Sequence, residues 1–213
     1  MGNKLICFDV DGTLLENKSS WIDLTAGLGC SVAEVYSIFK SVINGKITFA
    51  QGEKSVFDIY RASGKATKGN IQKIFEKDIF KLGVAELIEY LKEKDYLIWL
   101  VSGSIDFHVK LVADKIGADG FFAHSGLEFD GDDNLSKINY PGDQNHWKVD
   151  KLRELSEKFK IPANEIIFVG DDINDLGAFR ATGRGIAVWP YDEKLGAAAW
   201  KRVKSLSEIK DIL

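Results

Sequence analysis

Asp9 and Asp11 close an apolar run at residues 5–8 and are followed at once by Gly12 and Thr13. A short apolar run that breaks at glycine reads as a buried strand. Its last side chains reach the carboxyl edge of a sheet, where open α/β sheets bind their ligands. Two carboxylates one residue apart repel each other, which calls for a cation or a shared proton between them. Standing alone, Asp-x-Asp-Gly also describes an ordinary turn. Two further candidate strand endings carry comparable residues: Ser102-Gly103-Ser104 and Gly170-Asp171-Asp172-Ile173-Asn174-Asp175. In a parallel sheet all three endings lie on one edge, so residues far apart in sequence converge there. Clustered carboxylates suit a hard divalent cation such as Mg²⁺, which shares its shell with substrate phosphate. Ser102 and the Gly103 N–H, beside a helix start, suit phosphate oxygens. Lys148, near the start of a predicted helix, is the candidate cation from the protein itself. Taken singly, these residues have plainer readings. Ser-Gly-Ser caps helices, an isolated lysine is usually solvated, and paired aspartates complement a helix dipole. His108, His124 and His146 lack metal-ligand spacing and receive no catalytic role.

These residues need elements to carry them. After residue 15 the pattern is helical to about residue 80. Ser20 is a candidate cap for a helix ending at Leu28, and Ser31 with Glu34 and Thr48 with Gln51 form candidate capping boxes. A fourth helix is predicted over residues 71–80, with Ile71, Ile74, Phe75 and Ile79 on one side. Four short helices joined by glycine-containing turns predict a small bundle. From residue 84 the pattern alternates: helix 84–94, strand 96–101, helix 105–116, a short strand at 121–122, and a hairpin across 127–140. Helix 146–159, strand 166–169, helix 176–181 and strand 185–188 follow. Apolar strands separated by helices predict an α/β fold, a Rossmann-like parallel sheet covered on both faces. Residues 1–15 and 82–213 would form this core domain and residues 16–81 an inserted helical domain, with hinges at 15–19 and 81–83.

A chain of 213 residues can bury a core of this kind with its insert. The net charge of −4 supplies no basic footprint, which points to a small ligand and away from nucleic acid. Two cysteines cannot build a disulfide framework; Cys7 falls inside the first strand and Cys30 after a helix end. No apolar run reaches membrane-spanning length, and the first strand begins too early for a signal peptide. The expectation is a cytoplasmic protein, monomer or homodimer, with neither membrane nor nucleic-acid partner.

In this order and combination the residues resemble the haloacid dehalogenase (HAD) superfamily over nearly the whole chain. Asp9 and Asp11 match its D-x-D-G-T motif, Ser102 its second motif, Lys148 its third, and Asp171 with Asp175 its G-D-x-x-x-D motif. The insert resembles the family's C1 cap, and with the Gly-Asp-Asp-Ile-Asn-Asp ending it resembles the phosphoserine phosphatase branch. The resemblance implies a phosphatase acting on a small phosphorylated metabolite in two steps. Asp9 would be the nucleophile that carries an aspartyl-phosphate, and Asp11 the general acid and base. Mg²⁺ would be held by the Asp9 carboxylate, the Asp11 carbonyl and Asp171, with Asp175 in support and Asp172 as a neighbour. Ser102, Gly103 and Lys148 would hold the phosphate oxygens. Phosphoserine-specific relatives grip their substrate with a cap glutamate and an arginine. By register the glutamate position here is Lys18, with Glu16 close by, and residues 51–57 offer Lys54 but no arginine. The resemblance therefore leaves the substrate open, phosphoserine included; Lys18, Trp21, Lys54 and Arg61 are the cap residues that could meet an anionic or aromatic leaving group. A phosphotransferase or phosphomutase would use the same Asp9 chemistry while excluding water. A phospho-receiver signalling domain also gathers acids, a hydroxyl and a lysine, but the insert after the first strand and the Gly12-Thr13 pair argue against it.

Overall fold

Successive residues of the first strand are buried on opposite faces of one sheet. In β1 (Lys4–Phe8), Ile6 and Phe8 enter one apolar cluster while Leu5 and Cys7 enter another. A strand buried on both faces needs a continuous apolar run, which residues 5–8 supply. The structure, a computed structural model, describes residues 4–142 and 144–213. After β1 come four helices, α1 (Ser20–Gly27), α2 (Val32–Ile43), α3 (Phe49–Ala62) and α4 (Lys68–Phe75). The chain then alternates: α5 (Val84–Glu93), β2 (Tyr96–Ile105), α6 (Asp106–Ile116), β3 (Gly120–Phe129), β4 (Leu135–Asn139) and α7 (Gln144–Phe159). It ends with β5 (Ile167–Gly170), α8 (Leu176–Thr182), β6 (Gly185–Val188), α9 (Glu193–Ala198) and β7 (Lys201–Val203).

Among the described residues these strands make one sheet in the order β4-β3-β2-β1-β5-β6-β7, parallel except for the β3–β4 pair. The α/β class is as expected. The chain leaves β1 toward β2 and β3, then returns to its other side at β5, so strand order reverses at β1. Ligands of such sheets bind outside the carboxyl ends at that reversal. β1, β2 and β5 are neighbours there, which brings their endings together.

Helices α1–α4 bury Trp21, Leu24, Val56, Tyr60, Ile71 and Phe75 in a third cluster, shared with Leu127, Leu135 and Ile138 of the β3–β4 hairpin. The Thr48–Gln51 capping box is present, and Ser31 caps α2 by accepting the Glu34 N–H. The two connections of the insert run side by side: Leu15 bridges Phe80, the Glu16 N–H donates to the Ile79 carbonyl at 2.9 Å, and the Lys81 N–H to the Leu14 carbonyl at 2.9 Å. No helix among the described residues is long and apolar enough to cross a membrane.

Four local expectations are corrected. The segment at 102–104 is not a turn after β2 but part of it, with a register shift between Ser102 and Ile105 against β3. The strand at 121–122 extends to Phe129, because its parallel pairing with β2 passes directly into antiparallel pairing with β4. α4 begins earlier, behind Thr67 as cap, and stops at Phe75, so Ile79 is left 69% exposed; the chain turns there to run beside residue 15. Ser20 is the first residue of α1 rather than its cap.

Candidate active site

Asp9 leaves the end of β1 nearly fully buried, its own N–H tied to the Val169 carbonyl of β5 at 2.9 Å. The Val10 N–H donates to its Oδ1 at 2.8 Å, and Lys148 Nζ lies 3.1 Å from its Oδ2. These two contacts orient the carboxylate. Lys148, expected near a helix start, sits early in α7 and is completely buried. Its ammonium also reaches Asp175 Oδ1 at 2.5 Å and Asn174 Oδ1 at 3.3 Å. Burial alone would lower the lysine pKa, but the charges of Asp175 and Asp9 more than reverse this, so Lys148 stays cationic.

Asp171 and Asp175 come from the turn after β5. Asp175 Oδ2 accepts the Asp171 and Asp172 N–H groups at 3.1 and 3.3 Å, so its carboxylate holds the turn as well as the lysine. Asp171 takes a hydrogen bond from the Thr13 hydroxyl at 2.7 Å. Burial first, and the charge of Asp9 second, push the Asp171 carboxyl up to about 7. One oxygen each of Asp9, Asp171 and Asp175 lie within 4.8 Å of one another, all buried. Three buried carboxylates outnumber the positive charges beside them, Lys148 and, at Asp171, Lys81. An all-oxygen donor set of this kind fits a hard divalent cation.

The raised Asp171 pKa has a signed consequence. In the unfolded chain an aspartate has lost its proton by about pH 4, whereas folded Asp171 holds it to about 7. Between those values the folded state binds the extra proton, so its stability falls as pH rises. In EDTA, the melting temperature of wild type relative to Asp171→Asn is therefore expected to fall from about pH 4 to 7. A difference that is constant over that window contradicts the assignment.

Asp11 points elsewhere. Its Oδ2 accepts the Ser20 N–H at 2.7 Å and its Oδ1 the Asn17 amide at 3.3 Å, so the carboxylate sits at the start of α1. Burial raises its pKa, opposed by His108 and the Ser20 N–H. Ser102 and Gly103 line the same cavity as Asp9, Asp11 and Asp171. A register shift between Ser102 and Ile105 interrupts the β2–β3 pairing at this point.

Gly12 keeps this arrangement close. It adopts a φ of +73°, and a Cβ there would lie 2.3 Å from Asp171 Oδ2. Gly12→Ala is expected to destabilise the fold by more than the roughly 1–2 kcal/mol of left-handed strain alone, and to displace Asp171. Gly131 has no atom near its would-be Cβ and makes the control. Equal melting temperatures for Gly12→Ala and Gly131→Ala would contradict the packing argument.

Lys18 and Trp21 line the cavity, as do Asp172 and Asn174. Lys54 and Arg61 do not. Lys54 pairs with Asp58 on the exposed side of α3, and Arg61 stacks over Phe57. Two residues were not expected. His108, assigned no role from sequence, is fully buried with Nδ1 3.6 Å from Asp11 Oδ1 and 2.9 Å from the Ser104 hydroxyl. Its Nε2 lies 2.7 Å from Asp78 Oδ2, so it links Asp11 to the exit of the insert. Lys81 donates from Nζ to the Gly12 carbonyl and contributes positive charge at Asp171. The sequence does hold one clue to His108, its position four residues after Ser104, in the first turn of the helix that follows that strand.

The model of the haloacid dehalogenase-like hydrolases matches residues 3–183. The phosphoserine phosphatase of Lactococcus lactis subsp. lactis (strain IL1403) is 30% identical over 191 residues, spanning 86% of this chain and 82% of that protein. That of Methanocaldococcus jannaschii is 29% identical over 188 residues, spanning 86% and 84%. A solved phospho-aspartyl intermediate analogue of phosphoserine phosphatase superposes with a TM-score of 0.78 at 26% identity, covering all of both chains.

Proposed function

The chain belongs to the haloacid dehalogenase-like hydrolases and is a phosphatase of that family, and we propose that it hydrolyses a small phosphomonoester through an aspartyl-phosphate on Asp9. The observation that carries this reading is the buried group of Asp9, Asp171 and Asp175 with Lys148 3.1 Å from Asp9. A carboxylate already oriented by the Val10 N–H and Lys148 is set to attack phosphorus.

In the first step an Asp9 oxygen bonds to phosphorus and the bond to the ester oxygen breaks. Asp11 gives its proton to the departing alcohol; its burial favours the protonated form this requires. In the second step Asp11 takes a proton from water, whose oxygen bonds to phosphorus and frees phosphate and the Asp9 carboxylate. Ser102, the Gly103 N–H and Lys148 hold the phosphoryl oxygens throughout, where positioning and charge supply most of the catalysis. Asp9, Asp171 and the Asp11 carbonyl would hold Mg²⁺, which offsets the repulsion between two anions. Asp175 keeps Lys148 in place, and Asp172 caps the turn that carries Asp175.

Phosphate release from a panel of phosphomonoesters, without an added acceptor, tests this reading. We expect turnover with Mg²⁺ and its loss in EDTA. Undiminished turnover in EDTA would overturn the metal assignment, and transfer only to an added alcohol would favour a phosphotransferase.

A further inference from the structure

A cavity of about 680 Å³ opens from Asp9 and Asp11 toward the helical insert. Its charged floor is accounted for by the phosphoryl chemistry. Its walls are not. Val32, Val35, Tyr36, Phe39 and Ile43 of α2 all line it. Their spacing of three, four and seven residues places them on one helical stripe. Pro190 and Tyr191 line it from the loop after β6. Tyr36 is 55% exposed and Ile43 80% exposed, so these two meet solvent beside a strongly charged centre, while Val35 is buried in the helical cluster. Contiguous exposed apolar surface adjoining a cleft marks a ligand-binding wall.

The wall also has a polar side, with Ser19, Ser20, Thr25, Ser104 and Asn174 lining it. Beyond the floor, the charged residues lining the cavity are Lys18, Asp172 and Asp192, with no arginine or glutamate among the described lining residues. Asp192 Oδ1 accepts the Lys194 and Leu195 N–H groups, and Asp172 Oδ1 the Ile173 N–H. Each acid caps its own turn through Oδ1. The α2 stripe, Pro190 and Tyr191 offer hydrocarbon and rings, and Lys18 is the one cation among the described lining residues.

We infer that the alcohol released by this enzyme is bulky and largely apolar or aromatic, rather than a small zwitterion such as serine, with the α2 stripe and Tyr191 enclosing it. The inference rests on the phosphatase reading above. It is tested by kcat/KM with Mg²⁺ for n-alkyl phosphates from ethyl to hexyl, 3-phenylpropyl phosphate and O-phosphoserine. All have an aliphatic leaving oxygen, so differences report contacts of the alcohol. We expect kcat/KM to rise about threefold to fourfold per added methylene, with phenylpropyl phosphate exceeding phosphoserine by about 10² or more. Tyr36→Ser and Ile43→Ser, at exposed positions, should flatten the dependence on chain length. A flat series, or phosphoserine matching phenylpropyl phosphate, overturns the inference and leaves the phosphatase reading standing. No phosphate release from any ester, with no phosphoryl group on the protein, overturns both.

Discussion

Asp9→Asn is expected to lower kcat by a factor on the order of 10⁴–10⁶. The amide oxygen can still accept the Val10 N–H, so the side chain keeps one of its two anchors. Its nitrogen, however, would face the Lys148 ammonium where a carboxylate oxygen now lies at 3.1 Å, and it carries no lone pair for attack on phosphorus. Lys148 retains Asp175 at 2.5 Å, so the variant should fold. What remains is the catalysis supplied by phosphate-oxygen contacts alone, which is why activity falls steeply instead of vanishing. A folded Asp9→Asn protein within about tenfold of wild-type kcat would remove Asp9 from the nucleophile role.

The second large effect belongs to Lys148, where stability and catalysis depend on the same atom. Lys148→Met keeps most of the length of the side chain but leaves Asp9 and Asp175 without their shared ammonium in a fully buried position. Removing one partner of a buried ion pair costs about 3–5 kcal/mol. At about 2–4 °C per kcal/mol for a chain of this size, the melting temperature should drop by roughly 6–20 °C. Mg²⁺ should restore part of that loss, since it supplies positive charge to the same carboxylates. Turnover should fall by about 10²–10³ through loss of a donor to the phosphoryl group. Lys148→Arg should not rescue it, because a planar fork cannot replace a compact ammonium in a site without exposed volume. An unchanged melting temperature with unchanged kcat would contradict both arguments.

Much of this site was legible in the residues themselves, for an identifiable reason. Asp9, Asp11, Asp171 and Asp175 follow apolar strands and Ser102 follows an apolar run within one, and the end of an apolar run is a local signal. Lys148 was readable only as the cation those strand endings lacked. His108 and Lys81 were out of reach because their roles depend on partners distant in sequence. The His108 imidazole meets Asp78, thirty residues earlier, and the Lys81 ammonium meets the Gly12 carbonyl. The extension of β3 was hidden for a similar reason. Whether residues 123–129 form strand depends on the partners available on either side, first β2 and then β4. Among the candidate cap residues, charge was the weaker guide. Lys54 and Arg61 satisfied themselves on α3, while the apolar stripe of α2, unremarkable as sequence, faces the cavity.

The central claim is that phosphate passes through a covalent bond to Asp9. Acid quenching during turnover with Mg²⁺, followed by peptide mass spectrometry, addresses it directly. The account predicts a phosphoryl group on the peptide containing Asp9, absent from Asp9→Asn and lost when quenching is delayed until substrate is exhausted. Continued turnover with that peptide unmodified at every quench time, or with the phosphoryl group on another residue, would contradict it.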